Sequence, residues 1–358
     1  MRELLGLEPQ EIAAAIGEPG YRSIQIFEWL YAKRVTDFAQ MTNLSKELRE
    51  KLSRDFSIHY PEVIEAQHST DGTTKYALRA GGETIEAVHM PEENRDTLCI
   101  SSQAGCSFGC KFCVTARMNL RRNLTAGEIV AEVLLLLNRH GRLPRLNIVF
   151  MGMGEPFHNY DTTMKAFRLL IHPKGLAISP RRITVSTVGF LPSLLRLKHE
   201  TVIPNLAVSL NAPDDALRSE LMPVNRLYPI HMLMKALADL PLRHRQRITF
   251  EYVLLKGVND SPQQAKQLLE ATREIRCKIN LIPLNPDPHL PYERPDDETV
   301  SRFAAVLANG GRTVAVRRSR GPDISAACGQ LGTQYIEPSR IPLALTTKQQ
   351  RPEEGHEF

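Results

Sequence analysis

The sequence predicts an α/β protein built on a parallel sheet, open or barrel-like, and three observations carry that prediction. Between residues 97 and 320, segments that read as strands alternate with segments that read as helices, the pattern of repeated βα units. Several of those strands alternate polar and apolar residues, although parallel strands covered on both faces usually read as unbroken apolar runs. Three cysteines, Cys106, Cys110 and Cys113, crowd into eight residues directly after the first of these strands.

Taken in order, residues 1 to about 60 read as helical. Ser23 suits the cap of a helix carrying Ile24, Phe27, Leu30 and Tyr31 on one face. Leu44, Leu48, Leu52 and Phe56 recur every four residues and form the stripe of a second helix. Both helices carry basic residues elsewhere, Lys33 and Arg34 on one, Lys46, Arg49, Lys51 and Arg54 on the other. The module reads equally as a packing appendage or as an RNA-binding unit. Residues 74–90 alternate like a hairpin turned by Ala80-Gly-Gly-Glu83. Candidate strands follow at 97–103, 147–153, 182–187, 205–211, 247–254 and 278–284, with another near 313–317. One intervening helix opens at Thr125-Ala-Gly-Glu128, a capping box. The expected organisation is a helical module over 1–65, a connecting hairpin over 66–96, a barrel over 97–335 and a loose polar tail over 336–358.

The polar faces bear on function. Thr97, Cys99, Ser101 and Gln103 share one face of the first strand; Thr184 with Ser186, Ser209 with Asn211, and Thr249 with Glu251 do the same on later ones. If helices cover the apolar faces, these residues line an interior. A polar interior is too costly unless something fills it. The expectation is a wide or incomplete barrel that holds a ligand at its C-terminal mouth.

The 358 residues are 42% hydrophobic and 24% charged, an ordinary soluble composition. No apolar run is long enough to span a bilayer, and Met1-Arg-Glu-Leu-Leu lacks the layout of a signal peptide. These features predict a cytoplasmic protein without a membrane partner, whose thiols stay reduced and bind metal or react. Net charge is +5. Basic residues cluster at Arg117, Arg121 and Arg122, at Arg243, His244, Arg245 and Arg247, and at Arg317, Arg318 and Arg320. Any one cluster alone reads as a solvated face. Beside a reactive site they favour a polyanionic substrate.

A closed structural zinc site wants four ligands, and no fourth cysteine follows Cys113 nearby. An iron–sulfur cube held by three thiolates leaves one iron free to bind something else. The second strand ends in Met151-Gly-Met-Gly-Glu155-Pro156, whose glycines let the backbone approach a ligand closely. Of the remaining cysteines, Cys277 reads as an inert small hydrophobe. Cys99 lies on the polar face of the first strand. Cys328 sits in a Gly-flanked loop past the last strand, able to fold back over the barrel mouth.

The Cys-x3-Cys-x2-Cys run, with Phe112 before its last cysteine and Gly154-Glu155 at the next strand end, resembles the signature of the radical S-adenosylmethionine (SAM) enzymes. Further ordered motifs resemble the RlmN type of radical SAM RNA methyltransferase and its relative Cfr. They include Gly17-Glu-Pro-Gly-Tyr-Arg22, Gln25-Ile-Phe-Glu-Trp29, Arg122-Asn-Leu-Thr-Ala-Gly-Glu128, Asn280-Leu-Ile-Pro-Leu-Asn-Pro286 and the Cys328 loop. The similarity runs from about residue 10 to 335. It implies a partial (β/α)6 radical SAM barrel with a small N-terminal helical domain and a connecting hairpin. It implies a [4Fe-4S] cluster on Cys106, Cys110 and Cys113, and SAM beside Gly154, Glu155, Ser186, Ser209, Leu210, Asn211 and Asn285.

By the same resemblance, one SAM methylates Cys328 and a second gives the 5′-deoxyadenosyl radical that takes hydrogen from the S-methyl group. The carbon radical adds to C2 of an adenosine, and Cys99 resolves the protein–RNA adduct through a disulfide with Cys328. Glu86 matches the proton acceptor. The implied substrates are 23S rRNA and tRNA, and the implied electron source is an external flavodoxin- or ferredoxin-like protein acting on a monomer. Three alternatives stand beside this: Cfr-like methylation at C8, a radical SAM enzyme acting on a peptide or small molecule, and a non-catalytic RNA-binding protein with a structural metal. The chain departs from the family pattern at three places. Asn211 stands for a usual histidine, Val188 for a serine, and Asn119-Leu120 for Gly-Phe, which predicts a different cluster-loop conformation there.

Overall fold

In a computed structural model of the chain, residues 1–336 other than 142 and 144 are described. The expected loose tail therefore lies, from 337 onward, outside the described residues. Two-residue strands β1 (Arg2–Glu3) and β2 (Phe56–Ser57) pair in parallel and clasp the ends of the N-terminal module. Between them lie α1 (Pro9–Ile16), α2 (Gly20–Phe27) and α3 (Lys46–Asp55). A capping box of Glu8 and Glu11 opens α1, and Gly17 in the left-handed conformation closes it. Ser45 caps α3, which buries Leu48 and Leu52 as the four-residue stripe predicts.

Ser23 is not a cap. The Pro19-Gly20 pair starts α2 one turn earlier, and the Ser23 hydroxyl donates back to the Gly20 carbonyl at 2.7 Å. The buried face is accordingly Ile26, Phe27, Leu30 and Tyr31, with Ile24 only half-buried.

Strands β3 (Glu62–His68), β4 (Thr74–Ala80) and β5 (Glu83–Glu92) run antiparallel and lead into β6 (Arg95–Cys99). The hairpin does not stand apart from the barrel: β5 pairs with β6 from Val88↔Cys99 to Glu92↔Arg95. β3 escaped the sequence because it is an edge strand exposed along most of its length, where Glu62, Ile64, Glu65, Ala66 and His68 all face out and a bulge at Val63/Glu65 breaks the alternation. Short strands β7 (Gln103–Ala104) and β8 (Arg122–Asn123) pair across the neck of the cysteine loop. Six parallel strands extend the sheet from β6: β9 (Asn147–Phe150), β10 (Ile183–Thr187), β11 (Asn205–Ser209), β12 (Ile248–Leu254), β13 (Cys277–Pro283) and β14 (Val314–Val316). Apart from the short pairs, each strand lies beside its sequence neighbour in one ten-stranded sheet from β14 to β3.

Helices follow the parallel strands: α4 (Ala126–His140) after β6, α5 (Tyr160–Ile171) after β9, and α6 (Leu191–Leu197) after β10. Next come α7 (Asp215–Leu221) and α8 (Ile230–Ala238) after β11, α9 (Pro262–Ala271) after β12, and α10 (Asp297–Asn309) after β13. Among the described residues no helix is long and apolar enough to cross a membrane. Thr125 and Glu128 form the predicted capping box of α4. Ile183, Val185, Val208 and Phe250 are buried, while Thr184, Ser186 and Ser209 on the other face remain partly open. Three strands stop two or more residues short of their predicted ends, at Cys99, Phe150 and Ser209, because the residues beyond them turn into the loops of the barrel mouth.

The module and the barrel share one hydrophobic core. They meet at two glycines. A Cβ on Gly127, in the first turn of α4, would lie 2.6 Å from the Leu5 carbonyl oxygen, and one on Gly6 would lie 2.5 Å from the Gly127 nitrogen. In an open helix, Gly127→Ala would stabilise by about 1 kcal/mol. Here it is expected to destabilise by about 2 kcal/mol, as overpacking does, and urea denaturation of the purified chain reads the sign.

Candidate active site

Cys106, Cys110 and Cys113 occupy the loop between β7 and β8, directly above the C-terminal end of β6. The loop's neck is closed by backbone against backbone: a Cβ on Gly105, whose φ is +77°, would fall 1.7 Å from the Asn119 carbonyl oxygen. Asn119 adopts φ +56°. Asparagine tolerates this left-handed conformation better than most residues, so it keeps a turn that suits glycine. The expected change of loop conformation therefore has no cause at residue 119. The Lys111 N–H donates to the Leu221 carbonyl at 2.9 Å, pinning the loop to α7.

The three thiols line one cleft of about 970 Å³. Burial pushes all three up, Cys106 to about 12, and the other thiols of the set raise Cys106 and Cys110 further. Iron binds thiolates, so loading the site releases protons. Among the described residues no three His, Cys, Asp or Glu side chains are grouped to hold a single metal ion. Three thiols that line one cleft without converging on a single point fit a multi-iron cluster, whose thiolates bind separate irons, better than one zinc ion.

Six of the seven positions that the resemblance assigns to SAM line the same cleft: Gly154, Glu155, Ser186, Ser209, Asn211 and Asn285. Leu210 does not; it is fully buried, and its main chain bonds to Glu251 and Arg218. Gly154 has φ +99° and leaves no room for a side chain, since a Cβ would lie 2.5 Å from that of Gln103. Glu155 is 2% exposed. Its carboxylate accepts N–H bonds from Phe157 at 3.0 Å and Val188 at 2.8 Å. Burial nevertheless raises its pKa to about 7, the backbone donors offsetting only part of the shift.

Two departures from the family pattern are absorbed by the main chain. Val188 acts through its N–H, to Glu155, and its carbonyl, to Arg218. Asn211 adopts φ +57°, and its side-chain oxygen accepts from the Val253 N–H at 2.8 Å.

The Cys328 loop folds back over the mouth. Asn285 Nδ2 donates to the Cys328 carbonyl at 3.1 Å, and Ser319 Oγ in turn donates to Asn285. Further along, Val114 N–H donates to Gly329 O at 2.7 Å and Thr115 Oγ1 to Leu331 O at 2.7 Å, joining this loop to the cluster loop. Cys328 is exposed, Cys99 is buried, and both are free thiols. They line a second cavity of about 560 Å³, which shares Met151, Asn285, Arg317 and Cys328 with the first. Burial pushes Cys99 up and Cys328 adds to the shift, while Arg317 opposes it. Arg317 itself is held further toward its charged form, by Cys328 first and then Glu251 against the cost of burial. The basic cluster at 317–320 was the sequence signal for this residue.

Glu86 is fully buried and lines neither cavity. Its carboxylate accepts from the Gly332 N–H at 2.8 Å and pairs with Lys75 at 3.3 Å. Lys75 Nζ also reaches the Ser325 carbonyl at 3.4 Å, so the pair grips the loop on both sides of Cys328. Burial raises the Glu86 pKa and Lys75 opposes the rise. Nothing in the sequence marks Lys75, which sits in an ordinary strand pattern.

Arg218 also went unseen, because a lone arginine in a short amphipathic helix reads as solvated. It is 1% exposed. Nε donates to Leu210 O at 3.1 Å, Nη1 to Asn225 Oδ1 at 2.8 Å, and Nη2 to Val188 O at 2.7 Å and Ser209 O at 3.1 Å. It makes no ion pair among the described residues, and burial lowers its pKa to about 10.

Comparison with known proteins agrees with this arrangement. The Radical SAM superfamily matches residues 100–269, and the ribosomal RNA large subunit methyltransferase N-terminal domain matches residues 2–58. The dual-specificity RNA methyltransferase RlmN of Syntrophobacter fumaroxidans is 46% identical over 331 residues, 92% of this chain and 96% of that protein. That of Marinomonas sp. is 43% identical over 353 residues, 94% of each. The crystal structure of a radical SAM methyltransferase from Sphaerobacter thermophilus is 45% identical with a TM-score of 0.87, covering 93% of this chain and 100% of that one. Barrel, N-terminal module and mouth thus match along nearly the whole length, and the chain belongs to the RlmN family of radical SAM RNA methyltransferases, enzymes that use a [4Fe-4S] cluster and SAM.

Proposed function

We propose that this chain methylates C2 of adenosine in 23S rRNA and tRNA, with Cys328 as methyl carrier and Cys99 as the thiol that frees the product. The observation that carries this reading is the cavity shared by Cys99 and Cys328, which opens into the cleft lined by the three clustered cysteines. The dual-specificity name of the relatives supports RNA of two kinds as substrate. An external flavodoxin- or ferredoxin-like electron donor, a monomeric state and a cytoplasmic setting belong to the same proposal.

Cys106, Cys110 and Cys113 would hold the cluster, and Gly154, Glu155, Ser186, Ser209, Asn211 and Asn285 would surround SAM, with Leu210 behind them in the wall. When bound, these groups supply an electron, a methyl group and a 5′-deoxyadenosyl radical. Everything else falls to side chains of the chain. Asn285 and the Lys75–Glu86 pair hold Cys328 at the mouth. Glu86, implied as proton acceptor, contacts the loop and not the cavity lining, and we assign it the anchoring of that loop. Arg317 opposes the rise that burial imposes on Cys99, toward the thiolate form that attacks a sulfur. With the methyl carbon of Cys328 bonded to adenine, Cys99 attacks the Cys328 sulfur. By then the adduct has given up its odd electron and lost the C2 hydrogen as a proton. The S–S bond forms as the S–CH2 bond breaks, the electron pair stays on the carbon, and a proton from solvent completes the methyl group on the RNA, leaving the disulfide for the external reductant to reopen.

Nucleoside mass spectrometry after incubation of the reconstituted enzyme with SAM, reductant and either RNA is expected to find 2-methyladenosine. Finding 8-methyladenosine, or no methylated adenosine, overturns the assignment. Cys328→Ala is expected to abolish methylation with iron content intact, and Cys99→Ala to leave RNA covalently on the protein in a denaturing gel. Full turnover by either variant sinks the two-thiol scheme.

Glu155 makes SAM binding pH-dependent. With its pKa raised to about 7, the carboxyl is neutral below that value, and only the ionised form attracts the ammonium of SAM. Affinity is expected to fall about tenfold per pH unit below pH 7 and to level off above it. Anaerobic calorimetry on the reconstituted enzyme checks the slope, which Glu155→Gln should flatten.

A further inference from the structure

Resting on the assignment of RNA as substrate, we infer that the RNA strand enters through the N-terminal mouth of the barrel, with Arg181, Arg182, Lys278 and Arg318 as its phosphate contacts. This is the end opposite the cysteine loops. A cleft of about 1,460 Å³ opens there, between the starts of β6, β9, β10, β12 and β13 and the segment that follows β14.

Its charge is one-sided. Arg181, Arg182, Lys278 and Arg318 line the cleft and make no ion pair among the described residues. Of the other lining cations, Arg95 pairs with Glu92 at 2.9 Å and Arg320 with Asp71 at 3.6 Å, while Arg317 lies beside Cys328 and Glu251. Glu251, the remaining carboxyl of the lining, is buried, accepts from Asn280 at 3.1 Å and is shifted by burial toward its neutral form. A second cleft of about 1,050 Å³ shares Arg181 and adds Arg243, His244 and Arg245, so the basic track continues outside the barrel. The Arg181 main chain is fixed, its carbonyl accepting from Asn205 at 2.7 Å, while its charged end stays unpaired.

The cleft leads to the reacting thiols. It shares Met90, Val149, Met151, Arg317, Arg318 and Arg320 with the cavity that holds Cys99 and Cys328. At the other mouth, the cluster loop and the Cys328 loop lie bonded to each other. The thiols lie inside the barrel, where a base can reach them only out of its stack, as a single-stranded loop presents it. The target adenine would rise past Met151 and Arg317 while its flanking phosphates stay on the basic rim.

The test is fluorescence anisotropy with a labelled RNA hairpin carrying adenosine in its loop, titrated with reconstituted enzyme across a salt series. Arg181→Glu/Lys278→Glu is compared with the charge-matched Lys235→Glu/Lys266→Glu on the exposed residues of α8 and α9, with iron content as the check of folding. The cleft variant is expected to lose about tenfold or more in affinity, and the slope of log K against log salt to flatten by about 1.4, two single-strand phosphate contacts. The control should stay within about threefold of the parent. Equal losses in the two variants, or an unchanged slope, overturn the entry route. Should the glutamate pair lose iron, Arg181→Gln/Lys278→Gln makes the same comparison with the same slope change expected. A parent enzyme that binds no RNA overturns the substrate assignment itself, an outcome distinct from failure of the route.

Discussion

The Arg218 guanidinium is the interaction on which the site's geometry depends. It is buried, it lacks a carboxylate partner among the described residues, and it ties the ends of β10 and β11 together through the carbonyls of Val188, Ser209 and Leu210. The same helix, α7, receives the cluster loop through the Lys111–Leu221 hydrogen bond. One side chain therefore ties the cysteine loop's helix to two strand ends that line the same cleft as the three cysteines. An unpaired buried cation is costly. Of the groups near it, Cys110 favours its charged form most, ahead of Asp215. Thiolates bound to iron would supply the negative charge that the protein's own carboxylates do not.

The neighbouring strand ends follow from the same requirement. The Val188 N–H is one of two backbone donors that keep a carboxylate at Glu155 tolerable inside the protein, and Arg218 holds Val188 in place by its carbonyl. This explains why a chain can differ from its family at Val188 and Asn211 without losing the site. What these positions supply is main-chain donors, main-chain acceptors and, at Asn211, a left-handed turn with one amide oxygen. Asn119 is the same case at the neck of the cysteine loop.

What could be read in the sequence was local. The capping box at Thr125–Glu128, the hairpin turn at Ala80–Glu83, the seven parallel strands and the grouping of Cys106, Cys110 and Cys113 each depend on residues a few positions apart. The resemblance to the family added the pairing of Cys99 with Cys328, which no periodicity contains. Where local signals competed, the sequence misled: a serine at 23 looked like a cap although Pro19-Gly20 had already begun the helix. Lys75 and Arg218 were invisible for a different reason. Their partners, Glu86 with Ser325 in one case and three strand-end carbonyls in the other, are distant in sequence or belong to the backbone. A buried ionic residue looks like any solvated one until the chain is folded around it.

The two ends of the barrel divide the work. Polar strand faces in a parallel barrel demand an occupant. At the C-terminal end that demand is met by a site fitted to a cluster and SAM, and the loops carrying Cys113 and Cys328 are bonded to each other above it. Thr97, Asn147, Thr184 and Thr249 lie below, along the wide lower cleft, and nothing in that site reaches them. Hydrophobic residues there would have closed the barrel into an ordinary packed core. Polar ones keep it open and wet at the end where unpaired arginines gather. Under the proposed assignments the alternation first noticed in the strands serves two ligands, a small one above and a polymer below, and Cys328 lines the spaces on both sides of Cys99.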